Sequence, residues 1–136
     1  MDLTFHRGPS CLVAKMSGEL DLSSAATFKG RVDQELRATG IPNLVLNLKA
    51  LDFVDSTGLG AILGRMRQIT AGGGRVVLAS VPPKVLSMLE MAGLAALMPI
   101  VHTEDDAFRV ISGEGPRAGP GDGSREVAKG GGGAMP

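Results

Sequence analysis

Residues 44–69, LVLNLKALDFVDSTGLGAILGRMRQI, pass from a buried strand to an amphipathic helix through a short polar cluster. The first five residues are apolar apart from Asn47 and read as a strand. Leu59, Ile62, Leu63, Met66 and Ile69 then recur at helical spacing and predict one apolar helix face. The turn between the two falls at Asp55-Ser56-Thr57-Gly58. Asp, Ser and Thr accept hydrogen bonds from the free N–H groups of a helix N-terminus. With Asp55 as N-cap, Ser56 becomes the first helical residue and its hydroxyl can face solvent. The same helix end favours negative charge, phosphate included. By local chemistry alone the cluster is an ordinary cap.

The flanking segments repeat the alternation. Leu3 and Phe5 alternate with Thr4 and His6, and Gly8-Pro9-Ser10 reads as a turn. Residues 11–17 follow as a strand, with Leu12, Ala14 and Met16 on one face and Val13 on the other, predicting an N-terminal hairpin. After GELD at 18–21, Ala25, Phe28, Val32 and Leu36 predict a helix capped by Asp21 or Ser23 and ended by Gly40, with Ile41 packing back on Leu36. RVVLA at 75–79 is a strand apolar enough to be covered on both faces. Pro82-Pro83 begins a helix built on Val85, Leu86 and Leu89 and closed by Gly93. Pro99-Ile100-Val101 is a short strand, and Thr103 caps a last helix through Ile111. Within the central helix Gly58, Gly60 and Gly64 each cost roughly 1 kcal/mol relative to Ala. Gly60 and Gly64 lie four residues apart, which would allow close approach to the sheet or to a partner.

Strands alternating with helices after a hairpin predict an α/β domain: a mixed sheet of about five strands with about four helices. The ordered domain is expected at 1–112. Nine of the 20 glycines and three of the 8 prolines lie in 113–136, and such a segment buries too little apolar surface to offset its ordering entropy. A disordered tail is the expectation there.

Composition narrows the function classes. A formal net charge of +0 with no basic runs, and only four Phe as aromatics, argues against nucleic-acid binding. The single cysteine, Cys11, can form neither an internal disulfide nor a metal cage and reads as a small core residue. No apolar run is long enough to span a membrane, and Met1-Asp2 is acidic where a signal peptide would be basic. A cytoplasmic protein without membrane partners is expected. Gly58-Leu59-Gly60 is not a dinucleotide fingerprint, because position 63 is Leu63. No Gly-Lys-Ser/Thr ending supplies a P-loop, and Val54 stands where a nucleophile elbow needs glycine. His6 and His102 are the only histidine bases, and Asp52 reads as part of the loop leaving the strand. No catalytic residue, no metal and no cofactor is assigned.

VDSTGLGAILG, preceded by LVLNLKALDF and joined by GELD at 18–21 and MAGL at 91–94, resembles the anti-sigma factor antagonists of the STAS domain family. The resemblance covers about residues 16–110 and implies one sheet covered by helices mostly on one side. It implies that Ser56 is phosphorylated by a partner that is both an anti-sigma factor and a serine kinase using ATP. Unphosphorylated, such a protein binds the anti-sigma factor and frees a sigma factor, and a phosphatase resets the switch. The implied partner surface is Asp21, Asp55, Ser56, Thr57, Gly58, Leu59 and Gly60, with Asp21 and Asp55 on one rim and Thr57 as a possible second acceptor. Two other readings compete with it. One is an unphosphorylated STAS-like scaffold, such as a subunit of a lipid-transport complex. The other is a hydrolase or phosphatase using Ser56 or the Asp52/Asp55 pair.

Overall fold

The computed structural model describes residues 1–114. Of the tail expected at 113–136, residues 115–136 lie outside the described residues. The hairpin forms from Asp2–Gly8 (β1) and Cys11–Leu20 (β2), paired antiparallel from Asp2↔Ser17 to Gly8↔Cys11. Three parallel strands follow: Leu44–Val54 (β3), Val76–Ala79 (β4) and Ile100–Val101 (β5), giving the order β1-β2-β3-β4-β5. The connections are helices Ala25–Thr39 (α1), Ser56–Ala71 (α2) and Pro83–Met91 (α3), and Glu104–Ile111 (α4) ends the described chain. A 3-10 turn at Leu94–Ala96, not anticipated, follows α3.

The pleat sends alternate residues to opposite faces, so the sheet has two cores. Leu12, Ala14, Met16, Leu44, Leu46 and Leu78 face a larger core covered by α1, α2 and α3, with Phe28 and Val32 fully buried in it. Burying a side chain such as Phe28 contributes about 2–3 kcal/mol. Cys11, Val13, Val45, Val77 and Ala79 face the other side, where Ala107 and Val110 of α4 cover them. All four residues of β4 are buried, as its apolar run requires.

Several boundaries differ from the sequence reading. β3 runs to Val54 rather than stopping at Leu48, so Asp52 lies in a strand and not in a loop. The pairing explains why. Lys15↔Asn47 is followed by Ser17↔Ala50, and Gly18↔Leu51 by Glu19↔Phe53. At each step β3 inserts one more residue than β2, a bulge that resets the face. Leu48, Leu51 and Val54 point inward at intervals of three, and period-2 reading loses the strand. β2 extends to Leu20 as the partner of this segment.

The central helix is also rotated from the expected face. Its buried residues are Gly58, Ala61, Ile62, Arg65 and Ile69, while Leu59, Leu63 and Met66 are half-buried along its flank. Gly60 and Gly64 have open space where a Cβ would be, so neither permits close packing on the sheet, contrary to one expectation. Gly58 is the tight one: a Cβ there would collide with the Leu20 carbonyl and Val54. Arg65 is buried between helices, its Nη1 3.2 Å from Asp33 Oδ2 on α1, and its Nε has no partner.

Candidate functional site

The longest strands, β2 and β3, end side by side at Leu20↔Val54. From there one chain enters the turn at 21–24 and the other enters α2. Because Gly58 lacks a Cβ, the first turn of α2 presses on the Leu20 carbonyl. Asp55 then joins the two segments. Its N–H donates to Leu20 O at 3.2 Å, its Oδ1 accepts from Gly58 N–H at 2.8 Å, and its Oδ2 accepts from Leu22 N–H at 3.1 Å. One carboxylate caps α2 as the sequence predicts and also ties the α1 turn to it.

Asp21 organises that turn. Its Oδ1 accepts from Ser23 N–H at 3.0 Å, Ser23 Oγ–H at 2.7 Å and Ser24 N–H at 3.2 Å. These bonds favour the charged form, the Ser23 hydroxyl most strongly, and hold the Asp21 carboxyl below its ordinary pKa. Neither Asp21 nor Ser23, the two caps expected from the sequence, is the N-cap of α1. That position is Ser24, whose side chain makes no cap bond because its Oγ turns back on the preceding residues, accepting from Asp21 N–H at 2.9 Å and donating to Glu19 O at 2.9 Å.

Ser56 is therefore the exposed first residue of α2, immediately after its cap. Its hydroxyl makes no hydrogen bond among the described residues. The first N–H groups of a helix have no intrahelical partner, and Asp55 occupies the one on Gly58. An anion on Ser56 would meet the rest and the positive end of the helix dipole.

Asp21, Asp55, Ser56, Thr57 and Gly60 come together on this surface, with Thr57 and Gly60 exposed. Gly58 is buried beneath it and Leu59 is half-buried against the larger core, so these two shape the rim from below. Sequence reasoning missed Leu22. It is 76% exposed and shares a shallow groove with Ala26, Lys29, Thr57, Gly60 and Ala61. The available signal was a large apolar residue inside the polar turn Asp21-Leu22-Ser23-Ser24. The histidines are elsewhere. His6 bonds Glu104 at 3.2 Å at the start of α4, and His102 lies in that region, on the other side of the sheet from α2. Among the described residues no group of three or more His, Cys, Asp or Glu could hold a metal, and no helix is long and apolar enough to cross a membrane.

Residues 2–107 match the STAS domain family model. An anti-sigma F factor antagonist of Paenibacillus polymyxa is 37% identical over 108 residues, covering 79% of this chain and 91% of that one. A crystal structure from Thermotoga maritima aligns with a TM-score of 0.76 at 24% identity, covering 81% of this chain and 94% of the other, a likeness of fold. The Bacillus cell fate determinant SpoIIAA in its phosphorylated form aligns with a TM-score of 0.63 at 25% identity, covering 80% and 99%.

Proposed function

The chain belongs to the STAS domain family, and from that premise we propose that it is an anti-sigma factor antagonist switched by phosphorylation of Ser56. The observation that carries this reading is the exposed, unbonded hydroxyl of Ser56 on the first turn of α2, held there by Asp55. The relative named as an anti-sigma F factor antagonist and the solved phosphorylated form of SpoIIAA support it. Unphosphorylated, the surface of Asp21, Asp55, Ser56, Thr57, Leu59 and Gly60, shaped by Gly58 from beneath, binds an anti-sigma factor and releases a sigma factor. The same partner, as a serine kinase with ATP, transfers phosphate to Ser56, and a phosphatase removes it. The antagonist acts in the cytoplasm without catalysis or a cofactor of its own. Residues 1–112 do this work, and 113–136 form a dispensable tail.

Phosphate adds about −1.5 to −2 charges at neutral pH. The helix N-terminus offsets part of that within the protein, so the fold survives. The partner meets the remainder, close to Asp21 and Asp55, together with the desolvation of a dianion. The test is phosphosite mapping on protein recovered from its own cells, alongside kinase assays of Ser56→Ala. Phosphate on Ser56 that disappears in the variant is expected. An unmodified Ser56 in cells where the sigma factor is held inactive would favour the unphosphorylated scaffold, and hydrolysis by the purified protein that Ser56→Ala abolishes would favour an enzyme.

A further inference from the structure

Leu22 is out of place by ordinary rules of burial. It is 76% exposed, yet it sits on a turn tied down by hydrogen bonds. Its N–H is bonded to Asp55 Oδ2, and the Asp21 carboxylate, just before it, receives four hydrogen bonds from Ser23 and Ser24. The turn is thus fixed to the cap of α2, and the side chain projects beside Thr57 and Gly60 in the groove that adjoins Ser56. Phe53, two residues before that cap, is a second exposed apolar side chain at 37%. A large apolar residue on a hydrogen-bonded turn, next to Gly60, Ala61 and the Lys29 stem, loses little backbone entropy when a partner buries it.

We infer that Leu22 is the apolar anchor of the partner interface, seated in an apolar hollow of the anti-sigma partner when Ser56 is unmodified. The inference rests on the functional reading above and adds how the switch works. The rim already carries Asp21 and Asp55 against one groove-lining cation, Lys29, so a phosphate adds to charge of a sign already present. What it changes is hydration. A dianion beside Leu22 keeps water in a contact that must be dry for the apolar side chain to contribute. Phosphorylation therefore dislodges the anchor as well as adding repulsion. The choice of occupant rests on this adjacency: Leu22 shares its groove with Thr57, the residue after Ser56, so a partner that covers Ser56 also covers Leu22.

The experiment uses the full chain and the anti-sigma factors of its own organism, purified singly, with affinities measured by calorimetry. Leu22→Ser should weaken binding at least tenfold, and Leu22→Met should keep it within about threefold. Met91→Ser removes a more exposed apolar side chain, 89% accessible, from the end of α3 and should leave affinity unchanged. All three variants should melt like the wild type. Wild-type binding should show a negative heat-capacity change, the mark of apolar burial. Leu22→Ser binding as tightly as wild type overturns the inference while leaving the antagonist reading intact. Weakening by Met91→Ser instead moves the interface to α3 and also overturns it. Wild type binding none of the anti-sigma factors removes the functional reading itself, and this inference with it.

Discussion

At Ser56 the local physics separates structure from switching. Ser56→Ala removes the acceptor hydroxyl while Asp55 still caps α2. Its melting curve should match wild type within a degree or two, and it should bind the partner without being turned off. Ser56→Asp should melt similarly, helped slightly by the helix N-terminus, yet bind weakly. Equal binding by the two variants, measured side by side, would mean that charge at this position is not the switch. Two residues away the expectation is opposite. Gly58→Ala must push its new methyl group into the Leu20 carbonyl, and overpacking of that kind costs about 2 kcal/mol. Chemical denaturation should show that loss, and with α2 displaced, phosphorylation of Ser56 should slow. Asp21 ties stability to acid. Its carboxyl is held low by the Ser23 hydroxyl, so its contribution is present above the ordinary carboxylate pKa and lost as pH falls through the folded value. Asp21→Asn should flatten the melting temperature's dependence on pH below roughly pH 4. An unchanged acid limb would show that the turn bonds are not formed in solution.

At the scale of elements, α2 is held from below and from the side by different means. Its sheet-facing side is tight at Gly58, and its outer glycines are open. Gly60→Ala should therefore stabilise the protein by up to about 1 kcal/mol through helix propensity. Any loss of partner binding in that more stable variant would locate the partner over Gly60. A rise in neither quantity, seen by thermal melting, would mean that the groove is occupied by the chain itself. Laterally, Arg65 reaches Asp33 across the α1–α2 boundary from a buried position. Removing one partner of such a pair strands a buried charge, and Asp33→Ala should cost about 3 kcal/mol. Arg65→Met keeps the volume and leaves behind Asp33, whose side chain has more access to water than that of Arg65 (22% against 10%), so it should cost less. The reverse ranking in urea titrations would show that the pair, rather than the packing, supplies the stability.

For the whole molecule, the arrangement puts the two functions of the sheet at different places. Residues near the middle of β2, β3 and β4 are buried on both faces, between α1–α3 and α4. Only the overhang of β2 and β3 past the end of β4 reaches the rim that carries Asp21 and Ser56. Chemistry added at the rim is thereby kept away from the main core, which is how the proposed switch would change binding and spare folding. The described chain closes at α4, where Arg75 donates to Val110 O at 2.6 Å. Deleting 115–136 should leave the melting temperature nearly unchanged, and a drop of many degrees would show that the tail packs on the domain.

Local pattern was enough for much of this. Asp55 as cap, Ser56 as the exposed first residue of α2, Gly40 as the left-handed end of α1 and Thr103 as cap of α4 all follow from rules that act within four or five residues. So does the alternation of strands and helices. What local pattern could not reach depended on pairing at long range. The bulged overhang of β3 is invisible until β2 imposes its register. That Gly58 is crowded while Gly60 and Gly64 are open depends on where the end of β2 lies. Arg65 is polar by type but buried by position, because Asp33 waits on another helix. Leu22 is an apolar residue in a polar turn, with nothing local to say whether it is buried, until the Asp55 carboxylate, 33 positions along the chain, takes its N–H and fixes the turn in the open. Each of these is a contact between distant segments, and only the folded backbone decides which distant segments meet.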